Sequence, residues 1–213
     1  MSAKPGNKLR AALAMTLALA AAGASAQGGD GKDGLHGFLG IGLTNGGDRL
    51  FTANYVDGES EDINAGELFQ FGAGVQWNAS NSPLALAISI NYHGDTANAS
   101  NGKATFKRYP LEAIAYYRTA NSWRFGLGVR YVMSPTATYQ IDNVTDEELS
   151  FDDAVGAVAE IGYGFTPSVW LNLRGVNEEY QPETYRLNGT TVNVGNAEKV
   201  DGSHVGINLV YLF

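Results

Sequence analysis

The chain of 213 residues contains no cysteine, so neither a disulfide nor a thiolate-bound metal is available to it. Histidine is scarce, three in all, which narrows the options for acid–base catalysis. Basic residues are outnumbered 22 to 14 by acidic ones, giving a formal net charge of −8. That balance excludes a nucleic-acid partner, which needs a basic footprint. No stretch of mature sequence approaches the roughly 18 consecutive apolar residues of a membrane-spanning helix. What the chain does have is glycine, 27 residues, and tyrosine, 11 residues.

The beginning reads as an address. Lys4, Lys8 and Arg10 precede an apolar run from Ala11 to Ala22, too short to span a bilayer, and Ala24-Ser25-Ala26 is an A-x-A cleavage site. Residues 1–26 are therefore expected to be a cleaved signal peptide, with the mature domain at 27–213. Removing its three basic residues takes the charge from −8 to −11. An exported, acidic, glycine-rich chain without a long apolar run leaves two classes: a periplasmic β domain or an outer-membrane β-barrel.

A period of two decides between them. Phe69, Phe71, Ala73, Val75 and Trp77 alternate with Gln70, Gly72, Gly74 and Gln76. The same alternation runs through 84–93, 108–117, 123–131, 155–165 and 204–213. Such runs match the roughly nine to eleven residues of a tilted bilayer strand better than the five or six usual in soluble sheets. Weaker strands are expected at 35–44, 49–56 and 169–180, the last with Trp170 out of phase. Connections at 45–48, 78–83, 119–122 and 166–168 are short; those at 57–66, 94–104, 133–150 and 181–200 are long and polar. Short periplasmic turns and long external loops are the habit of bacterial barrels. In that register Trp77, Tyr117, Trp123, Tyr163, Phe165, Tyr211 and Phe213 form one aromatic girdle, and Phe69, Tyr92, Tyr109 and Tyr131 the other.

The fold class expected is therefore all-β, a transmembrane antiparallel up-and-down barrel of eight to ten strands. Nine strands are legible, and an even number is needed. The count leans to ten, with residues 27–34 as the additional strand; otherwise 35–44 lies outside the wall and eight remain.

Three short motifs carry a family resemblance. Tyr131-Val132-Met133-Ser134-Pro135, the ending Asp201-Gly202-Ser203-His204-Val205-Gly206 with Phe213 last, and the opening Phe38-Leu39-Gly40-Ile41-Gly42-Leu43 resemble the YfaZ-type small outer-membrane β-barrel proteins of Gram-negative bacteria. The resemblance implies an outer-membrane barrel without an established activity. The chain departs from that pattern in a longer, more acidic 140–153 and a long 181–200. A final Phe with Tyr two residues earlier also resembles the signal read by the barrel-assembly machinery, implying that machinery as a partner during insertion.

Charges in the inward phase are the candidate site. Arg108, Glu112, Arg124, Arg130, Glu160 and Arg174 would cost about 2–4 kcal/mol each against lipid, so they are expected to line the lumen. They read either as ion pairs that plug the barrel or as the lining of a narrow, porin-like pore. His93 and His204 form an expected polar pair at the outer rim; a rim hydrolase is the weaker reading, and no enzyme is expected. No cofactor or metal site is expected, and the acidic groups, including Glu59, Asp142, Glu178 and Glu183, read as solvated loops. A surface-binding protein acting through 133–153 and 181–200 is the alternative function. The expected setting is a monomer among outer-membrane lipid and lipopolysaccharide.

Overall fold

A computed structural model describes residues 33–54, 60–99, 102–141 and 145–213. The segment expected to be a signal peptide and most of the strand expected at 27–34 lie outside the described residues.

Fifteen strands are present among the described residues. Eight form a closed wall: β1 (Gly34–Gly46), β4 (Leu68–Asn78), β5 (Leu84–Ala99), β6 (Gly102–Arg118), β7 (Trp123–Ile141), β9 (Ala154–Gly164), β10 (Val169–Asn177) and β15 (His204–Leu212). The rest are short: β2 (Arg49–Asn54), β3 (Ser60–Asn64), β8 (Thr145–Phe151), β11 (Glu179–Tyr180), β12 (Pro182–Leu187), β13 (Thr190–Asn193) and β14 (Val200–Asp201). Every wall strand runs antiparallel to both neighbours. The wall closes where β7 skips β8 to pair with β9, and where β15 returns to β1.

Strand periodicity dictates what each face carries, because successive side chains point to opposite sides. In β9 the alternation of buried and exposed residues is unbroken. Leu127 and Val155 on the outer face are each 72% exposed, while their neighbours Gly126 and Ala154 are buried. An apolar exterior around a closed polar interior is the arrangement of a wall in hydrocarbon. Aromatic rings mark both edges of the apolar band. Trp123, Tyr163 and Phe165 pack edge to face at the end with short turns, with centroids 5.2 and 5.5 Å apart. Phe71, Tyr92 and Tyr109 pack together at the other, at 5.4 and 5.8 Å.

The structure corrects the strand count from ten to eight. Residues 35–44 do not lie outside the wall; β1 hydrogen-bonds both β15 and β4 and begins beside Asn78 at the short-turn end. Of the strand expected at 49–56, the described part, β2, lies outside the wall and pairs with β3 in a separate hairpin. The link 45–48 therefore lies at the long-loop end. The reason is visible in sequence: β1 is glycine-rich but long enough to span, whereas β2 has six residues.

The long connections are also folded. β5, β6 and β7 run on beyond the barrel, and β8, β12 and β13 add to β7 in turn. The inner side of this extension carries a second apolar cluster of Ala97, Ala104, Phe106, Ala137 and Phe151, joined by Ile63 from β3 and Tyr180 from β11. Together these elements make a cap over the barrel mouth.

The motif at 131–135 is the joint between barrel and cap. The β6–β7 register slips between Lys107 and Tyr109, and Ser134 takes the left-handed backbone conformation, φ 49°. The slip moves the buried phase from Val132 to Pro135 and Ala137, re-aiming the strand into the cap. Asp153 fixes it: its carboxylate accepts the Tyr131 hydroxyl at 2.6 Å and the Ser134 amide at 2.9 Å. The Tyr131 hydroxyl, then the Ser134 amide, hold the Asp153 carboxyl below the usual carboxylate range. A lowered folded-state pKa contributes stability above the ordinary value, about 3.9, and that contribution disappears as pH falls through the lowered one. Asp153→Asn is thus expected to flatten the acid limb of the unfolding midpoint against pH, measured in detergent, relative to the parent chain.

Candidate functional site

The barrel interior is filled in three tiers. At the short-turn end Arg124 lies between two rings, 4.4 Å from the Tyr116 centroid and 4.6 Å from that of Trp170. Its Nε donates to Asn172 at 3.1 Å and its Nη1 to Gln76 at 3.4 Å. Glycine makes this layer fit, since a Cβ on Gly126 would come within 2.6 Å of the Tyr116 ring.

The middle tier pairs charges. Arg174 donates through Nη2 to both Glu112 oxygens, at 2.8 and 2.9 Å, and Arg130 Nη1 donates to the same carboxylate at 3.1 Å. Glu160 accepts from Tyr116 at 2.7 Å and Asn172 at 2.9 Å, with Arg174 Nε 3.6 Å away.

The upper tier lies beneath the cap. Glu178 sits 2.9 Å from Arg130 Nε and 3.8 Å from Arg108 Nε, and Tyr180 donates its hydroxyl to it. Arg108 also lies over the Phe106 ring, 4.8 Å from its centroid, so it joins the ion pairs to the apolar cap. His93 Nδ1 faces Arg108 at 2.9 Å and Arg130 at 3.1 Å. Guanidinium groups only donate, so Nδ1 accepts and Nε2–H donates to Thr44 at 2.8 Å.

Arg108, Glu112, Arg124, Arg130, Glu160 and Arg174 are all buried, and Asn172 and Glu178 link them into one network. Two members escaped sequence reasoning. Glu178 is not a solvated loop acid; it is 2% exposed. Trp170 is in phase after all. The signal was the parity of β10: Trp170, Asn172, Arg174, Val176, Glu178 and Tyr180 all take the inward phase. Reading Leu171 and Leu173 as the buried side would hide it; they face outward and Trp170 inward.

His93 and His204 are neighbours, their rings 4.9 Å apart edge to face. Neither is arranged as a base for a nucleophile. His204 Nδ1 meets the Gly202 carbonyl at 2.8 Å, and Ser203 Oγ is engaged with Asn177 and the Glu178 backbone. Thr44 accepts a hydrogen bond from His93 Nε2–H rather than donating one.

Among the described residues the buried charges balance: Arg108, Arg124, Arg130 and Arg174 against Asp95, Glu112, Glu160 and Glu178. Arg108 and Arg130 are 0% exposed, so no water-sized space adjoins them. Arg130 and Arg174 keep their charges this far from water because carboxylates face them, whereas Arg124 is held by Asn172, Gln76 and two aromatic rings.

Neither a protein-family model nor a curated protein matches the chain. Among solved structures it is similar to Ail, the attachment invasion locus protein of Yersinia pestis in complex with the heparin analogue sucrose octasulfate, with a TM-score of 0.54 at 12% identity over 85% of this chain and 99% of that one. Weaker likenesses are to a major outer membrane protein of Thermus thermophilus (TM-score 0.48, 13% identity, 84% and 99% covered) and to Neisserial surface protein A (0.45, 14%, 85% and 98%). The chain is thus an eight-stranded antiparallel barrel of the outer-membrane type.

Proposed function

We propose that the mature chain resides in an outer membrane as a sealed, non-conducting barrel, with its short turns in the periplasm and its folded cap outside the cell. One observation carries this reading: Arg108 and Arg130 have no exposed surface, and Arg174 is only 2% exposed. A pore narrow enough to select ions still wets its lining. A selective lining also carries an excess of one sign, and this interior is neutral. The ion pairs therefore act as a plug that fixes register, as expected for an eight-stranded barrel filled by side chains. This is a structural role without catalysis.

A second reading, recognition at the cell surface, is favoured by the cap. Its edge strand β13 is exposed along its whole length, including Val192, and Leu187 at the end of β12 is open as well. Ail, of similar fold, was solved with a heparin analogue, and that ligand belongs to Ail. Signal-peptide removal before Gln27, insertion by the barrel-assembly machinery and a monomeric state are part of the same proposal.

Planar-bilayer recording separates plug from pore. The folded chain is expected to be electrically silent. Ion-selective steps that change on Arg130→Ala would establish a conducting lumen instead.

A further inference from the structure

The cap sheet ends at β13, whose outer edge is unguarded. Asn188 and Gly189 both have positive φ, 47° and 87°, as in the two-residue type I′ turn of a β-hairpin. The residues flanking such a turn, Leu187 and Thr190, exchange both backbone hydrogen bonds, and alternation makes Tyr185 and Val192 the next pair to do so. The backbone groups of Thr191 and Asn193 therefore point away from β12, to the open side. Edge strands are commonly protected by a lysine, a proline, a bulge or an inward charge. β13 reads Thr190-Thr191-Val192-Asn193 and has none of these, in a chain of net charge −8.

The strand is complementary to itself. Two β13 strands paired about a two-fold axis set Thr191 against Asn193 of the second copy, and Val192 against Val192. Thr191 and Asn193 are the residues with outward backbone groups, so both Thr191–Asn193 pairs exchange hydrogen bonds. Val192 then falls at the non-hydrogen-bonded position, where facing residues come closest, about 4.5 Å between Cα atoms. Its side chain lies on the cap's inner face, last in a row that runs from Ala137 through Leu149 and Tyr185. Exposure rises along that row from 0% at Ala137 to 50% at Val192. A second Val192 continues the row where the chain's own cover ends. On the other face Thr191 meets Asn193, both uncharged, so no like charges oppose each other between the two edges.

Strand direction says where the second copy stands. With the cap outside the cell, β7 runs outward, β8 back, β12 outward and β13 back toward the membrane, each antiparallel to the last. Two copies in one membrane hold β13 in the same sense. A copy in a facing membrane holds it in the opposite sense, and so offers the antiparallel partner. β7 continues from Tyr131 to Ile141, about 34 Å at about 3.4 Å per residue. That is well beyond a headgroup layer about 5–7 Å thick, even at a strand tilt of about 40°.

We propose that β13 joins copies of this chain on facing membranes by antiparallel strand addition. Each contact is small, so the junction acts through many copies at once. The proposal rests on the outer-membrane reading with its cap outside. It deepens the surface-recognition reading and leaves each barrel single in its own membrane.

The test mixes two populations of vesicles carrying the folded mature chain, one with donor lipid and one with acceptor lipid, and reads docking by energy transfer. Parent vesicles are expected to dock. Thr191→Pro removes an outward N–H and no bond to β12, and should lower docking at least tenfold. Val192→Lys and Val192→Glu vesicles should each lose at least tenfold with their own kind, and should dock with one another. In this cysteine-free chain, Val192→Cys under a mild oxidant should cross-link the two populations, and Thr190→Cys, away from the axis, should not. Heat-dependent gel mobility reports folding; should Thr191→Pro not fold, the two exposed-site charge variants carry the test. Undiminished docking by the proline and charge variants would overturn the proposal, as would Val192→Cys links confined to single vesicles. Folded parent vesicles that never dock reject β13 pairing alone. A parent that never inserts removes the outer-membrane reading and the junction together.

Discussion

Arg130→Ala is expected to destabilise the folded barrel by about 3–5 kcal/mol, the cost typical of stripping one partner from a buried ion pair. Arg130 joins tiers: Nη1 reaches Glu112 at 3.1 Å, Nε is 2.9 Å from Glu178, and Nη2 donates to His93 at 3.1 Å. Glu112 would keep Arg174, but Glu178 would be left with the more distant Arg108, at 3.8 Å. The buried charge would also become unbalanced. Lysine should not rescue, because one ammonium cannot reproduce a fork that serves three partners. The double change Arg130→Ala/Glu178→Gln should cost less than the sum of its parts, since the carboxylate stranded by the first change is neutralised by the second. Urea unfolding of bilayer-embedded protein, followed by tryptophan fluorescence, measures all three.

The second large effect belongs to the cap. Phe106→Ala should cost the cap about 3–5 kcal/mol, as for other buried aromatic truncations. The ring is fully buried, 6.0 Å from Phe151 and 5.8 Å from Tyr180 between centroids, and it also supports Arg108. The two variants should differ in kind. Losing Arg130 weakens the wall, so folded and unfolded forms interconvert at lower urea. Losing Phe106 frees the cap from a barrel that stays closed. Limited proteolysis should then cut within 133–153 or 181–200 while the heat-dependent gel shift persists.

Much of this was written in the sequence, because a strand's period of two is read directly from residue types. The wall strands from 69 to 165, the girdles and the six lumen charges all followed from that one rule. The count failed where the rule had least to act on. In β1, Gly37, Gly40 and Gly42 carry no side chain to report a phase. In β10 the aliphatic residues drew attention, and a tryptophan serving as a lid over Arg124 looked misplaced. Glu178 was hidden by its company, Asn177 and Glu179, which are exposed. The cap was missed for a different reason. Its strands β8, β12 and β13 are short and polar on one face, and they are strands because β7 offers them an edge. Such pairing is a tertiary fact that local pattern does not contain.

The most direct test of the arrangement uses the absence of native cysteine. Single cysteines are introduced at Leu127, on the apolar exterior, and at Val158, 2% exposed and facing the interior. In bilayers, a spin label at 127 is expected to be relaxed by oxygen and untouched by a water-soluble nickel chelate. The thiol at 158 should resist a small hydrophilic maleimide until the protein is heated. Rapid labelling at 158 would mean a wetted lumen, and chelate access at 127 would mean a wall that faces water; either result contradicts a sealed barrel in lipid.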